Sequence, residues 1–222
     1  MRGRLAFFVA PIVLVAGAAA LVAFGAIDRW VAGLFFSPQD WFLGIHEPFP
    51  TLRHATTLAA WGVGAFLAAG LVWRVALGRP FVGLSRGAVI YLAAVFAAGP
   101  ALLVNGILKE HWDRARPAHT EQFGGPKHYT PPLVIADQCK SNCSFVSGEA
   151  ALGFTFMAFG FVARKPKRRR LGIAAGITLG TAFGLLRMIE GGHYLSDVYF
   201  AGLFMALVAW LTHRLFVARG WL

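Results

Sequence analysis

The sequence predicts an all-α protein, a bundle of six transmembrane helices that forms one integral membrane domain over residues 1–222. The chain is 57% hydrophobic, and its mean hydropathy is +0.61. Charged residues make up 14% of it, whereas soluble domains carry about 25%. The apolar residues fall into runs of about 20, the length that crosses a bilayer as a helix. These observations favour a membrane protein over a soluble one.

Six apolar runs define the predicted spans, which lie at approximately 6–27, 52–73, 87–108, 145–162, 171–188 and 195–216. The first run follows the basic start "MRGR", as a signal peptide would. Its apolar stretch is longer than the roughly 7–15 residues of a signal h-region, so we expect a retained span. The runs occupy most of the chain, which predicts a single domain.

The distribution of charge predicts the orientation. Thirteen of the 21 Lys and Arg, and no Asp or Glu, lie at the two termini, in the 74–86 loop and in "RKPKRRR" at 164–170. All ten acidic residues lie in 28–54, 109–149 and 187–197. By the positive-inside rule both termini are cytoplasmic, and the acidic segments face outward, to the periplasm in a bacterial inner membrane. The net charge of +11 then reflects a topology anchor on anionic lipid, and we expect no nucleic-acid partner.

Two outward segments carry distinctive residues. The 28–50 stretch mixes aromatics with isolated charges and predicts an interfacial segment, either an aromatic belt or a surface that docks a lipid. Cys139 and Cys143 lie in "CKSNC", within the long 109–144 loop. An oxidising compartment favours a disulfide between them. Free thiols and a metal site are the alternatives, although a metal needs more ligands than two Cys.

Four of the predicted helix ends lie at the outward face of the membrane. They place several cations and the start of one helix at the same depth. The cations are Lys109, Arg114, Arg116 and Arg187. Ser147 and Gly148 open the fourth helix, where free backbone N–H groups and the helix dipole attract an anion. Glycine also lets a ligand approach the backbone closely. This combination suits a phosphate monoester, whose oxygens need contacts from several cations.

His193 and Asp197 form a second pair of interest, four residues apart. If the sixth helix includes both, they lie on one face. The carboxylate then accepts a hydrogen bond from one imidazole nitrogen and leaves the other free as nucleophile or base. The alternative is a structural His–Asp pair at a helix N-terminus.

Three motifs in this region resemble those of the type 2 phosphatidic acid phosphatase family. "KEHWDRARP" carries the Lys, six residues, Arg-Pro pattern in Lys109 and Arg116. "LRMIEGGHYLSD" carries the third motif in Arg187, His193 and Asp197, with Leu where Ser is usual. The second motif, Pro-Ser-Gly-His, here reads "VSGE", at 146–149.

The resemblance implies a mechanism without metal or cofactor, because fixed cations replace the metal. His193 would attack the phosphorus and form a phosphohistidine, and Asp197 would orient His193. The phosphoryl oxygens would be bound by Lys109, Arg116, Arg187, Ser147 and the Gly148 N–H.

Glu149 is the departure from the family pattern, because it stands where the family has the histidine that protonates the leaving oxygen. Burial favours the neutral acid, which could donate a proton, whereas nearby Lys and Arg favour the carboxylate. Glu149 is therefore either the replacement general acid or a residue that binds the headgroup or serves the structure.

The resemblance also implies the substrate class. It points to a periplasmic phosphatase of a phosphorylated membrane lipid, closest to the lipid A branch, with the 4′-phosphate favoured over the 1-phosphate. Undecaprenyl diphosphate and phosphatidylglycerol phosphate are alternative substrates, and a lipid phosphotransferase or a catalytically dead binding or transport protein is an alternative function. The expected partners are the lipid substrate and membrane lipids; the oligomeric state stays open.

Overall fold

The computed structural model describes residues 17, 25–79 and 83–222. The first predicted span, 6–27, lies largely outside the described residues. The described α-helices are α1 (Gly25–Gly33), α2 (Phe49–Leu77), α3 (Arg86–Phe96), α4 (Lys109–His111), α5 (Gly148–Thr155), α6 (Met157–Val162), α7 (Pro166–Ile189) and α8 (Leu195–Ala218). A π-helix (Ala97–Leu108) joins α3 to α4 without a break. A short antiparallel hairpin pairs β1 (Phe36–Ser37) with β2 (Trp41–Phe42). Single 3₁₀ turns lie at Leu43–Ile45, Pro117–His119 and Glu121–Phe123.

Four of the helical segments are long and apolar enough to cross a membrane: Phe49–Arg74, Arg86–His111, Pro166–Ile189 and Leu195–Ala218. They coincide with four of the six predicted runs. The described part of the chain is thus predominantly helical, as the apolar runs predict.

The run at 145–162 differs from its prediction. Helix α5 starts only at Gly148, because the Ser147 hydroxyl accepts the Ala150 N–H and caps the helix there. The helix is interrupted at Phe156, which separates segments of 8 and 6 residues. Just before this point the Thr155 hydroxyl donates to the Ala151 carbonyl, a contact that bends helices. The result is an apolar helix, Gly148–Val162, that is shorter than the four candidate spans.

Glycines let α5 and α6 pack directly on α7. A Cβ on Gly153 would lie 2.6 Å from the Gly180 nitrogen, and one on Gly172 would lie 2.7 Å from the Gly160 nitrogen. Small residues at such positions allow backbones in membranes to approach closely. This packing fixes the N-terminus of α5 near the end of α7.

The 28–50 segment is partly buried, which a purely interfacial aromatic belt would not be. Phe42 is 0% exposed and packs with Phe123 and Tyr194, each 1% exposed. The ring centroids of Phe42 and Phe123 are 5.2 Å apart. Trp30, in contrast, is 65% exposed. The hairpin therefore packs against the 109–144 loop.

Candidate active site

Three cations from separate segments lie close enough to His193 to act on it electrostatically. Lys109 begins α4, Arg116 follows in the adjoining loop, and Arg187 lies in the last turn of α7. Lys109 is 7% exposed and Arg187 4% exposed. Burial lowers the pKa of the Arg116 guanidinium. Removing these charges from water costs free energy, and an anion placed among them would offset that cost.

The N-terminus of α5 lies beside one of these cations, Lys109, and lines the same cavity. The Ser147 hydroxyl accepts the Ala150 N–H and still has its own proton to donate. Gly148 has a role that the sequence analysis missed: a Cβ there would lie 3.3 Å from Nζ of Lys109. The glycine thus leaves room for the lysine ammonium as well as for a ligand.

Helix α8 begins at Leu195, so it includes Asp197 but not His193. The sequence analysis expected His193 and Asp197 on one face of this helix, and that expectation is wrong because His193 lies before the helix. Nδ1 of His193 lies 2.7 Å from the carbonyl oxygen of Ser144 and 3.7 Å from Oδ2 of Asp197. Nδ1 therefore carries the proton and donates it to the Ser144 carbonyl. No described residue forms a hydrogen bond with Nε2, which keeps its lone pair.

The electrostatic surroundings keep this imidazole neutral. Burial, followed by the charges of Lys109, Arg187 and Arg116, lowers the pKa of His193 to about 4, against a raising effect from Asp197. At neutral pH the ring is uncharged, which is the form that a nucleophile requires.

Glu149 lies beside the imidazole and one cation. Its Oε1 is 3.3 Å from Nε of Arg187, and its Oε2 is 4.0 Å from Nε2 of His193. An opposite charge at this distance favours the ionised carboxyl. In this arrangement Glu149 is a carboxylate that partly neutralises Arg187, which also pairs with Glu190.

Asp197 is held by three donors. They are Nη1 of Arg114 at 2.5 Å, the Ser144 hydroxyl at 2.6 Å and the Tyr194 N–H at 2.8 Å. Ser144 therefore contacts both members of the pair, because its hydroxyl binds Asp197 while its carbonyl binds His193. Asp197 reaches the imidazole largely through this shared neighbour.

Arg114 and Asp28 complete a buried ionic network that the sequence analysis did not assemble. Nη2 of Arg114 lies 2.8 Å from Oδ2 of Asp28, and the side chains of both are fully buried. Burial lowers the pKa of Arg114, but the carboxylates of Asp197 and Asp28 outweigh it and raise this pKa above its usual value. Asp28 also accepts the Ser196 N–H at 2.9 Å. A lone acid in the apolar GAIDRWVAG stretch is the sequence signal for such a partner.

A disulfide joins Cys139 and Cys143, with Cα atoms 5.7 Å apart.

Two cavities reach the cations. One, of about 380 Å³, is lined by Lys109, Gly148 and Glu149 and continues along apolar side chains that include Phe96, Leu152 and Phe183. The other, of about 570 Å³, is lined by the polar and charged side chains of Arg53, Arg116, His119, Asn142, Arg187 and Glu190. The cations thus line two cavities, one largely apolar and one polar.

The fold and the site together define a class of protein. It is a helical membrane protein with a buried neutral histidine and three cations near a helix N-terminus. A family model described as the PAP2 superfamily matches residues 87–221, more than half of the chain. The chain belongs to this superfamily, which confirms the resemblance carried by the three motifs.

Three curated relatives bear the name lipid A 4′-phosphatase. The protein of Francisella tularensis subsp. novicida is 42% identical over 130 residues, which are 59% of each chain. That of Rhizobium leguminosarum is 48% identical over 102 residues, 45% of this chain and 42% of the relative. That of Rhizobium etli is 48% identical over 101 residues, 45% of this chain and 38% of the relative.

The matched segments cover 38 to 59% of the length of these relatives. No solved structure gave a significant match to the chain.

Proposed function

We propose that the protein is a lipid phosphatase, a phosphoric monoester hydrolase, that removes a phosphate from lipid A. The observation that carries this proposal is the free Nε2 of a buried, neutral His193 beside Lys109, Arg116 and Arg187. A phosphate bound among these cations would present its phosphorus to the imidazole lone pair. The names of the three relatives support the same substrate.

Nucleophilic attack is the first step of the proposed mechanism. Nε2 of His193 forms a bond to phosphorus while the bond to the lipid oxygen breaks, which gives a phosphohistidine. The Nδ1 proton stays on the ring, shared with the Ser144 carbonyl, and Asp197 stabilises the positive charge that develops. The cations, the Ser147 hydroxyl and the Gly148 N–H stabilise the equatorial oxygens.

Proton transfer is assigned to Glu149. A phosphate dianion competes with Glu149 for Arg187 and brings negative charge close to the carboxylate, which favours its uptake of a proton from solvent. The protonated carboxyl then gives its proton to the leaving lipid oxygen. In the second step the carboxylate takes a proton from water, whose oxygen attacks phosphorus, and inorganic phosphate leaves with His193 restored.

The two cavities support a lipid as the substrate. The apolar cavity beside Lys109 offers a place for an acyl chain, and the polar cavity beside Arg116 offers one for a sugar headgroup. Both volumes fall in the range usual for ligand sites. We favour the 4′-phosphate of lipid A over the 1-phosphate because of the relatives' names; undecaprenyl diphosphate and phosphatidylglycerol phosphate are the alternative substrates. A lipid phosphotransferase would use the same His193 but exclude water.

The site is proposed to face the periplasm of a bacterial inner membrane, with six spans and cytoplasmic termini. The support is the concentration of Lys and Arg in the segments opposite the site. The site and these basic segments lie at opposite ends of α7, where Arg187 closes one end and Arg168 to Arg170 lie near the other.

A phosphate-release assay on the purified full chain in detergent tests the proposal. Substrates would be lipid A carrying only the 4′- or only the 1-phosphate, undecaprenyl diphosphate and phosphatidylglycerol phosphate. We expect release from the 4′ form, unchanged by EDTA, and none from His193→Ala. Turnover by His193→Ala at the wild-type rate would refute the nucleophile, and release from none of the lipids would refute the activity.

A further inference from the structure

Asn142 contacts two of the three cations of the site. Nζ of Lys109 donates to Oδ1 of Asn142 at 3.0 Å, and Nη2 of Arg116 donates to the main-chain oxygen of Asn142 at 2.7 Å. Asn142 belongs to the "CKSNC" loop, which the proposed chemistry leaves without a task. One loop residue thus ties together both cations of the first motif.

The loop is fixed against the segment that carries these cations. The disulfide closes the loop around Asn142, and the Cys143 N–H donates to the main-chain oxygen of Lys109 at 3.2 Å. Asn142 has φ of +48°, a left-handed conformation that Asn tolerates better than most residues. Its two oxygens are therefore presented at defined positions.

These contacts leave donors available for a ligand. A lysine ammonium has three donors and a guanidinium has five, and Asn142 uses one of each. Long cationic side chains lose rotamer freedom when they bind an anion, and a side chain already held in place loses less. Asn142 contributes no charge, so it orients the cations without neutralising them.

We propose that Asn142, held by the Cys139–Cys143 loop, is a positioning residue that pre-orients Lys109 and Arg116 for the phosphate group of the substrate. It acts on phosphate affinity through these two cations and takes no part in bond breaking. This inference rests on the proposed function, because it assigns the phosphate site to the same cations.

Asn142→Gly is the decisive variant, because glycine tolerates the left-handed backbone and keeps the main-chain oxygen that binds Arg116, while it removes the side-chain carboxamide that binds Lys109. Inorganic phosphate is titrated into the purified full chain by calorimetry, and KM and kcat are measured with 4′-phosphorylated lipid A. We expect the Kd for phosphate and the KM to rise about threefold to tenfold, because Lys109 must then lose its rotamer freedom on binding, with kcat nearly unchanged.

Lys140→Ala is the matched control, since it shortens an exposed side chain of the same loop. At physiological salt it should keep the Kd within about twofold, because exposed charges are screened. A cycle with Lys109→Gln tests the route of action. If Asn142 acts through Lys109, Asn142→Gly adds little further loss in that background.

An unchanged Kd in Asn142→Gly overturns the proposal, and so does a lowered Kd, which would mean that Asn142 competes with phosphate for the cations. If Asn142→Gly does not fold, the wild-type protein with its disulfide reduced gives the same test. Weaker phosphate binding supports the proposal, and unchanged binding overturns it. Absence of lipid hydrolysis by the wild type would refute the proposed function, while the phosphate titration would still report on Asn142.

Discussion

At the scale of single residues, a backbone carbonyl decides which nitrogen of the proposed nucleophile is free. Nδ1 of His193 lies closer to the Ser144 carbonyl than to Asp197. The carbonyl accepts the proton and fixes the tautomer, so that Nε2 keeps its lone pair, 4.0 Å from the Glu149 carboxylate. Asp197 then acts mainly by its charge and by holding Ser144 in place.

The pH dependence of kcat/KM, which reports on the free enzyme, should reflect this environment. Because the pKa of His193 is lowered to about 4, the imidazole stays neutral as pH falls through 6.5, the pKa of a free histidine. We expect the acid limb of kcat/KM that arises from His193 to lie near pH 4. An acid limb near 6.5 that remains after correction for the titration of the substrate's own phosphate would contradict the assigned surroundings of His193.

Glu149→Gln should separate proton donation from binding. With lipid A, whose leaving alcohol needs a proton, we expect kcat to fall by about 10²–10⁴-fold. With p-nitrophenyl phosphate, whose leaving group departs without a proton, the fall should be much smaller.

The control for this comparison is Glu190→Gln, which removes the other carboxylate paired with Arg187 but leaves the one beside His193. Glu190→Gln should change kcat by a similar factor for both substrates. An equal loss on both substrates in Glu149→Gln would make Glu149 a binding residue rather than the acid.

Arg114→Lys should lower both the stability of the protein and its kcat. A lysine ammonium is a point charge and cannot bind Asp28 and Asp197 at once in the fork geometry of arginine. Breaking a buried ionic contact costs about 3–5 kcal/mol, so the thermal midpoint in detergent should fall clearly. Arg168→Lys, exposed at the start of α7, is the control and should leave the midpoint unchanged. A wild-type midpoint and rate in Arg114→Lys would show that the network is dispensable.

At the scale of elements, the position of the site depends on how closely α5 approaches α7. At this contact glycines allow the two helix backbones to meet directly, without side chains between them. A small change in the distance between these helices would move Gly148 and Glu149 relative to Arg187, because all three lie at the ends of the two helices.

Gly153→Val tests this contact. A Cβ at this position would lie 2.6 Å from the Gly180 nitrogen, and overpacking of this kind costs about 1–3 kcal/mol. We expect a lower thermal midpoint and reduced activity. Gly62→Val in α2 is the matched control, since a Cβ there meets nothing within 4 Å. Equal midpoints for the two variants would contradict the close packing.

At the scale of the whole molecule, charge distribution and the site predict one orientation. Ile135 is 67% exposed in the long loop beside the site, and Lys167 is exposed at the start of α7. A membrane-impermeant maleimide should label Ile135→Cys in intact spheroplasts and Lys167→Cys only after permeabilisation. The native cysteines are joined to each other, so the wild type serves as the unlabelled control. The reverse labelling pattern would invert the proposed topology.

The sequence by itself determined the helical class, four candidate membrane-spanning helices close to their observed bounds and membership of the superfamily. It could do so because apolar run length, loop charge and motif spacing are local properties of the chain. Tertiary structure decided the interruption at Phe156, the contact of Gly148 with Lys109, and the proton position on His193. It also decided the buried network of Asp28, Arg114 and Asp197. These features depend on which distant groups meet in space: Asp28 and Ser196 are 168 residues apart, and no local pattern records such a contact.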